Sequence, residues 1–182
     1  MDDGLLRRIA DHDSHALAEL YDRHASLLFA LIVRILRDRA EAEDALQDVF
    51  IRVWQRAETY NPVFGTPVAW LVRIARNGAI DRLRRRAASP ATEPAAAIVL
   101  DIEDNTPGPD KMAITGQQRR AINGALSRLG ADERRLIECA FFEGYTQTEL
   151  AERFGLPLGT VKTRIRRGVQ TLRDQLQQIH ES

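Results

Sequence analysis

The chain has 182 residues and sets 26 basic against 26 acidic side chains, so it has no net charge with which to hold a polyanion. Any electrostatic function must come from segregation of charge along the sequence, and the length allows one compact domain or two small ones. A single cysteine, Cys139, excludes an internal disulfide and fits a reducing compartment.

The first residues, "MDDGLLRRIADHD", place acids where a signal peptide needs a basic flank. No apolar run reaches the ~18 residues that a bilayer span requires. A cytoplasmic protein without membrane insertion is expected. From Ser14 the pattern is helical: Leu17, Leu20, Tyr21, Leu27, Leu28, Leu31, Ile32, Ile35 and Leu36 recur at three- and four-residue spacings, with Ser14 or Asp13 as the cap. Asp38 and Glu41 have the spacing of a capping box. They open "RAEAEDALQDVFIRVWQRA", whose Ala42, Ala45, Leu46, Val49, Phe50, Val53 and Trp54 form the inward stripe.

"ETYNPVFG" reads as a loop. Thr66 then caps a helix with Pro67 at its first position, running "PVAWLVRIARNGAIDRLRRR". Three such helices make a bundle with its own core, assigned to residues 1–87. Residues 88–110 hold four prolines, five acids and no basic residue. They set the tether at 88–111, which joins the bundle to a smaller helical domain at 112–182. The fold class is all-α, two helical domains joined by a flexible linker.

The second domain contains "TQTELAERFGLPLGTVKTRIRRGV". Thr146 and Glu149 form a capping box, and Leu150, Ala151 and Phe154 give the short helix a buried face. Gly155 supplies the turn and Pro157 starts the next helix. On that helix Val161, Ile165, Val169 (or Gly168), Leu172 and Leu176 point inward. Thr160, Lys162, Thr163, Arg164, Arg166, Arg167 and Arg173 point outward, and no acid interrupts residues 157–173. An unbulky start followed by exposed donors is what a helix entering the major groove needs.

A second basic cluster lies in "RIARNGAIDRLRRR", with six arginines against Asp81. Arg73, Asn77 and Arg84 share one side of the helix, as do Asp81 and Arg85, while Leu71, Ile74, Ile80 and Leu83 pack inward. Arginines at a helix C-terminus also complement its dipole, which accounts for Arg84, Arg85 and Arg86 without any ligand. Asn77, a poor helix former in mid-helix, is less easily accounted for and offers an amide to a base edge. Tyr60 and Phe64 in the preceding loop offer a place for an unstacked base, with Trp70 assigned to the core.

No enzyme is expected. Cys139 in "LIECAFF" reads as a core thiol, and His12, His15 and His24 lack the spacing of a full ligand set, so no cofactor or metal is assigned. Two functions compete: a stand-alone helix-turn-helix regulator whose bundle senses a ligand, and a factor that needs both basic faces at once.

Three stretches in order favour the second. "AEDALQDVFIRVW", "AWLVRIARNGAIDRLRRR" and "YTQTELAERFGLPLGTVKTRIRRGV" resemble regions 2.2, 2.3–2.4 and 4.2 of a group IV, or extracytoplasmic-function, sigma factor of the sigma-70 family of bacterial RNA polymerase. The resemblance covers nearly the whole chain outside the tether. It implies core RNA polymerase as a partner, through its β′ clamp helices and β flap, together with promoter DNA and an anti-sigma factor. By the same resemblance Asp44, Gln47, Asp48, Phe50 and Trp54 match the polymerase-docking motif. Asn77 and Asp81 match positions that meet −10 bases, with Arg73, Arg76, Arg82, Arg84, Arg85 and Arg86 holding phosphates during melting. Thr160, Lys162, Thr163, Arg164, Arg166 and Arg167 match the helix that reads the −35 element. Asp81 stands where some members carry an amide, and Arg166 where some carry an aromatic.

Overall fold

A computed structural model describes residues 2–88 and 129–180, which fall into two compact helical units with no strand among the described residues. The first unit contains α1 (Asp2–Ala10), α2 (Ser14–Leu36), α3 (Arg39–Arg56) and α4 (Pro67–Ala88). The second contains α5 (Ala131–Phe142), α6 (Gln147–Phe154) and α7 (Leu158–His180). The tether assigned to 88–111 lies outside the described residues, apart from Ala88, which ends α4.

Local chemistry sets the helix ends. Between the two candidate caps of α2, the structure selects Asp13, whose side chain accepts from the backbone N–H groups of His15 and Ala16 at 2.9 and 3.2 Å. Asp38 caps α3 by accepting from Glu41 N–H at 2.9 Å. The expected reciprocal half gives way to another contact: the Glu41 carboxylate accepts from Arg86 of α4 at 3.2 Å. Thr66 accepts from Ala69 N–H at 3.3 Å, and Pro67 takes the first position of α4 as expected.

Helices α2, α3 and α4 pack on one another around Leu20, Leu28, Ile32, Leu36, Val53 and Leu71, each under 2% exposed. Leu17, Leu27 and Leu31 are half-buried at the edge of that stripe, and Tyr21 is 44% exposed. The sequence reading began the bundle at Ser14, but the structure adds α1, which buries Leu5, Leu6 and Ile9 against it. An ion-pair cluster supplements that packing. Asp2 accepts from Arg23 at 2.8 Å and pairs with His24 Nε2 at 2.9 Å, and His24 Nδ1 is buried without a partner.

Burial works against the Asp2 charge, but the hydrogen bonds from His24 and Arg23 outweigh it and hold the carboxyl below its ordinary value. A folded-state value depressed in this way gives stability that is complete above the ordinary carboxylate pKa of ~3.9 and is lost as the pH falls through the lowered one. Wild type therefore melts above Asp2→Asn at neutral pH. The gap, followed by circular dichroism, closes as the pH drops below about 4. A gap that stays constant through that range contradicts this role.

In the second unit Leu136, Cys139, Leu150 and Val161 form a small core, with Leu156 and Ile165 packed at its margin. Thr146 and Glu149 complete a capping box: the Thr146 hydroxyl accepts from Glu149 N–H at 3.2 Å, and the Glu149 carboxylate accepts from Thr146 N–H at 2.6 Å. Gly155 adopts φ 60°, ψ 33°, and Leu156 N–H returns to the Ala151 carbonyl at 3.0 Å, closing α6. The Pro157 carbonyl accepts the first two α7 bonds, from Thr160 and Val161.

Two expectations for this unit change. Phe154, the last residue of α6 before the αL turn at Gly155, is 37% exposed rather than buried. Of Val169 and Gly168, Gly168 faces inward: a Cβ there would stand 2.6 Å from Ile137 Cδ1, so a side chain would require Ile137 to move. Val169 is 44% exposed. Leu172 is half-buried, and the side chains of Arg173 and Leu176 lie outside the described ones. The Cys139 thiol is fully buried, and burial together with the Glu143 carboxylate pushes its pKa up, as suits a packing residue.

Candidate nucleic-acid interface

Two cationic surfaces are present, one on each unit. On the first, α4 sorts its polar residues by rotation about the helix axis. Arg73, Asn77, Asp81, Arg84 and Arg85 are exposed. Arg76 is half-buried and donates to the Asn77 side-chain oxygen at 3.2 Å. Arg85 Nε donates back to the Asp81 carbonyl at 3.3 Å. Burial, and then the neighbouring charge of Arg84, lower the Arg76 pKa.

Arg82 and Arg86 sit on the other flank, toward α3. Arg82 is hydrogen-bonded to Asp48, and Arg86 to Glu41. The eight α4 residues grouped by the sequence thus divide into an outward set and a pair already engaged by acids of the adjacent helix. Gly78 belongs to this α3-facing flank: a Cβ there would touch Arg52 Nη1 at 3.4 Å, an ordinary contact.

A cleft of about 230 Å³ opens beside the outward set, lined by Tyr60, Phe64, Trp70 and Arg73 among others. Trp70 is 7% exposed and closes its floor as part of the core, as expected. The Tyr60 ring stands edge-on to Trp70 with centroids 5.8 Å apart. Its hydroxyl donates to Asp3 at 2.7 Å. Loss of water and the carboxylate acceptor push the phenol pKa up to about 12. Aromatic rings and a cation on the same lining are the groups that take a base and its phosphate.

The docking-motif residues spread over two faces of α3. Asp44 and Gln47 are exposed, and Asp48 is half-buried beside Arg82. Phe50 is buried, its ring 4.7 Å from that of Tyr21, and Trp54 is half-buried with its ring 5.5 Å from that of His12. Ile51, absent from the sequence-based set, is 54% exposed on the outer side of α3, one turn beyond Gln47. The signal that finds it is an apolar residue in excess of the helix's buried stripe.

His12, His15 and His24 do not converge. His12 is on Trp54, His24 on Asp2, and His15 is exposed. No group of three or more metal-ligating side chains occurs among the described residues. No described helix is long and apolar enough to cross a membrane.

On the second unit, α7 presents Lys162, Thr163, Arg166 and Arg167 as exposed residues, with Thr160 and Arg164 half-buried. The four cations differ in what holds them. Arg164 donates to Asp132 of α5 at 2.9 Å, and Arg167 pairs with Glu133 at 3.6 Å. Lys162 and Arg166 have no partner among the described residues. The Thr163 hydroxyl donates to the Gly159 carbonyl at 2.9 Å, which leaves its lone pairs and methyl group for a ligand.

Residues 20–89 match the Sigma-70 region 2 family, and residues 125–174 match Sigma-70, region 4. The ECF RNA polymerase sigma factor SigK of Mycobacterium sp. (strain KMS) is 36% identical over 176 residues, covering 94% of this chain and 89% of its own. The protein of the same name from Mycobacterium bovis (strain BCG / Pasteur 1173P2) is 34% identical over 181 residues, covering 94% of this chain and 91% of its own. Among solved structures, Rhodobacter sphaeroides SigE in complex with the anti-sigma ChrR is 33% identical, covers 94% of this chain and 95% of its own, and gives a TM-score of 0.48.

Proposed function

The chain belongs to the sigma-70 family, in its extracytoplasmic-function group, and on that premise we propose that it binds core RNA polymerase and directs it to promoters carrying matched −10 and −35 elements. The observation that carries the reading is the pair of outward cationic helix faces, on α4 and α7, each inside a separately matched region. A stand-alone regulator would require only the second. Membership of the group also brings an anti-sigma factor as the expected regulator.

On this reading the outer side of α3, with Asp44, Gln47, Asp48 and Ile51, meets the polymerase clamp. The outward α4 residues and the adjoining cleft take the unwound −10 strand. Bases captured by stacking stabilise the open state at about 1–3 kcal/mol each, so the protein needs no chemical step to favour melting. Lys162, Thr163, Arg166 and their neighbours on α7 meet the −35 duplex. The ion pairs Arg82–Asp48, Arg86–Glu41, Arg164–Asp132 and Arg167–Glu133 compete with phosphate. That competition supports weak DNA binding by the chain alone and stronger binding once the polymerase holds both units.

The test is transcription from genomic DNA by core polymerase with and without the purified chain, followed by mapping of transcript 5′ ends. Added chain creates new start sites that share a −35 and −10 pair. Their yield falls steeply with salt, as phosphate neutralisation requires. Identical start sites in both reactions overturn the reading, and an operator bound tightly by residues 112–182 without polymerase favours the regulator instead.

A further inference from the structure

The loop between α3 and α4 turns its apolar side chains outward. Val63 and Phe64 are 82% and 83% exposed, so the loop has no core of its own to fix its position. Asn61 braces it locally by accepting from Val63 N–H at 2.9 Å. Gly65, at φ 141° and ψ 175°, closes the turn in a backbone conformation that side-chain-bearing residues rarely adopt.

The start of the loop is anchored by the buried Ala57, and past it Tyr60 ties the loop to α1. Its hydroxyl has one proton and faces two acceptors, Asp3 Oδ1 at 2.7 Å and the Gly65 carbonyl at 3.1 Å. The carboxylate is both the nearer and the stronger acceptor. Asp3 lies 57 residues away on α1, a helix anchored through Leu5, Leu6 and Ile9. Tyr60 therefore bridges an anchored helix and the turn that leads into α4, and its ring forms a wall of the cleft beside Trp70 and Arg73.

We infer that Asp3 is a positioning residue for base capture: through the Tyr60 hydroxyl it holds the loop so that the Tyr60–Trp70–Arg73 cleft keeps the shape that takes an unstacked −10 base. The inference rests on the proposed function and adds to it a role for α1, a helix outside the matched residues 20–89. Asp3 touches no base itself.

The experiment measures holoenzyme affinity for single-stranded non-template −10 oligonucleotides taken from promoters that the wild-type holoenzyme uses. Asp3→Ala lowers that affinity about tenfold, with polymerase affinity unchanged and a drop in melting temperature no larger than that of Tyr60→Phe. Asp3→Asn, whose amide oxygen still accepts the phenol proton, stays within about threefold of wild type. Tyr60→Phe reproduces the loss, and adding Asp3→Ala to it costs nothing more, because the two residues share one bond. Oligonucleotide affinity unchanged in Asp3→Ala overturns the inference, as does a parallel loss of polymerase affinity and oligonucleotide affinity, which marks a merely structural role. A wild-type holoenzyme that directs no promoter-specific initiation overturns the proposed function itself, and the inference with it.

Discussion

Replacing Lys162 and Arg166 together by alanine lowers transcription from −35-dependent promoters by about ten- to a hundredfold and leaves the unfolding temperature unchanged. Both side chains are exposed on α7, and the substitutions remove no hydrogen bond or ion pair among the described residues. A base contact is worth about 1–3 kcal/mol, and even the lower figure applied twice gives a loss within that range. Arg164→Ala and Arg167→Ala give smaller losses, because each guanidinium must leave Asp132 or Glu133 before it meets phosphate. Exposed pairs of that kind contribute only about 0–1 kcal/mol, so neither substitution unfolds the unit. Run-off transcription over a salt series separates the roles: a lost phosphate contact lowers the salt slope by about one, whereas a lost base contact leaves the slope and relaxes sequence preference. Wild-type activity in the double variant removes the −35 assignment from both residues.

Leu150→Ala has the largest expected effect on folding. Leu150 is fully buried and packs, among the described residues, with Leu136, Cys139 and Val161, and truncating a leucine in such a place costs about 2–5 kcal/mol. A domain of about 70 residues rarely draws more than roughly 3–5 kcal/mol from its core, so the substitution consumes most of the second unit's stability. Hydrogen exchange then shows α5, α6 and α7 unprotected at 25 °C. Both tryptophans, Trp54 and Trp70, belong to the first unit, and their fluorescence transition stays in place. Function divides along the same line, with polymerase binding retained and −35-dependent initiation lost. Phe154→Ala, by contrast, changes stability little, since that ring is already partly in water. Equal destabilisation by the two substitutions contradicts the packing described for α6.

The contrast between Leu150 and Phe154 shows how far a repeating pattern can be read. Both sit at apolar positions of one helix, four residues apart, and periodicity assigns both inward. Phe154 is the last residue of α6, with the left-handed turn at Gly155 directly after it, and only Leu150 is fully enclosed. Gly168 and Val169 pose the same kind of choice, settled by how closely α5 approaches α7. Helix α1 escaped the sequence reading for a different reason. Nine residues are too few for a persuasive apolar stripe, and Leu5, Leu6 and Ile9 identify a face only once α2 is there to receive it.

By itself the sequence determined the helical class, most helix starts, the helix-turn-helix with its capping box and glycine turn, and the two basic clusters. Each of these depends on residues within about four positions of one another, the range over which a cap or a helix face is defined. Only the tertiary structure decided which charges are available. Arg82 meets Asp48 across 34 residues, Arg164 meets Asp132 across 32, Arg86 meets Glu41 across 45, and Tyr60 meets Asp3 across 57. Those meetings follow from how each helix is rotated about its axis once the cores close. A guanidinium held by a carboxylate and one left in solvent look alike in sequence, but they present different free energies to a passing phosphate.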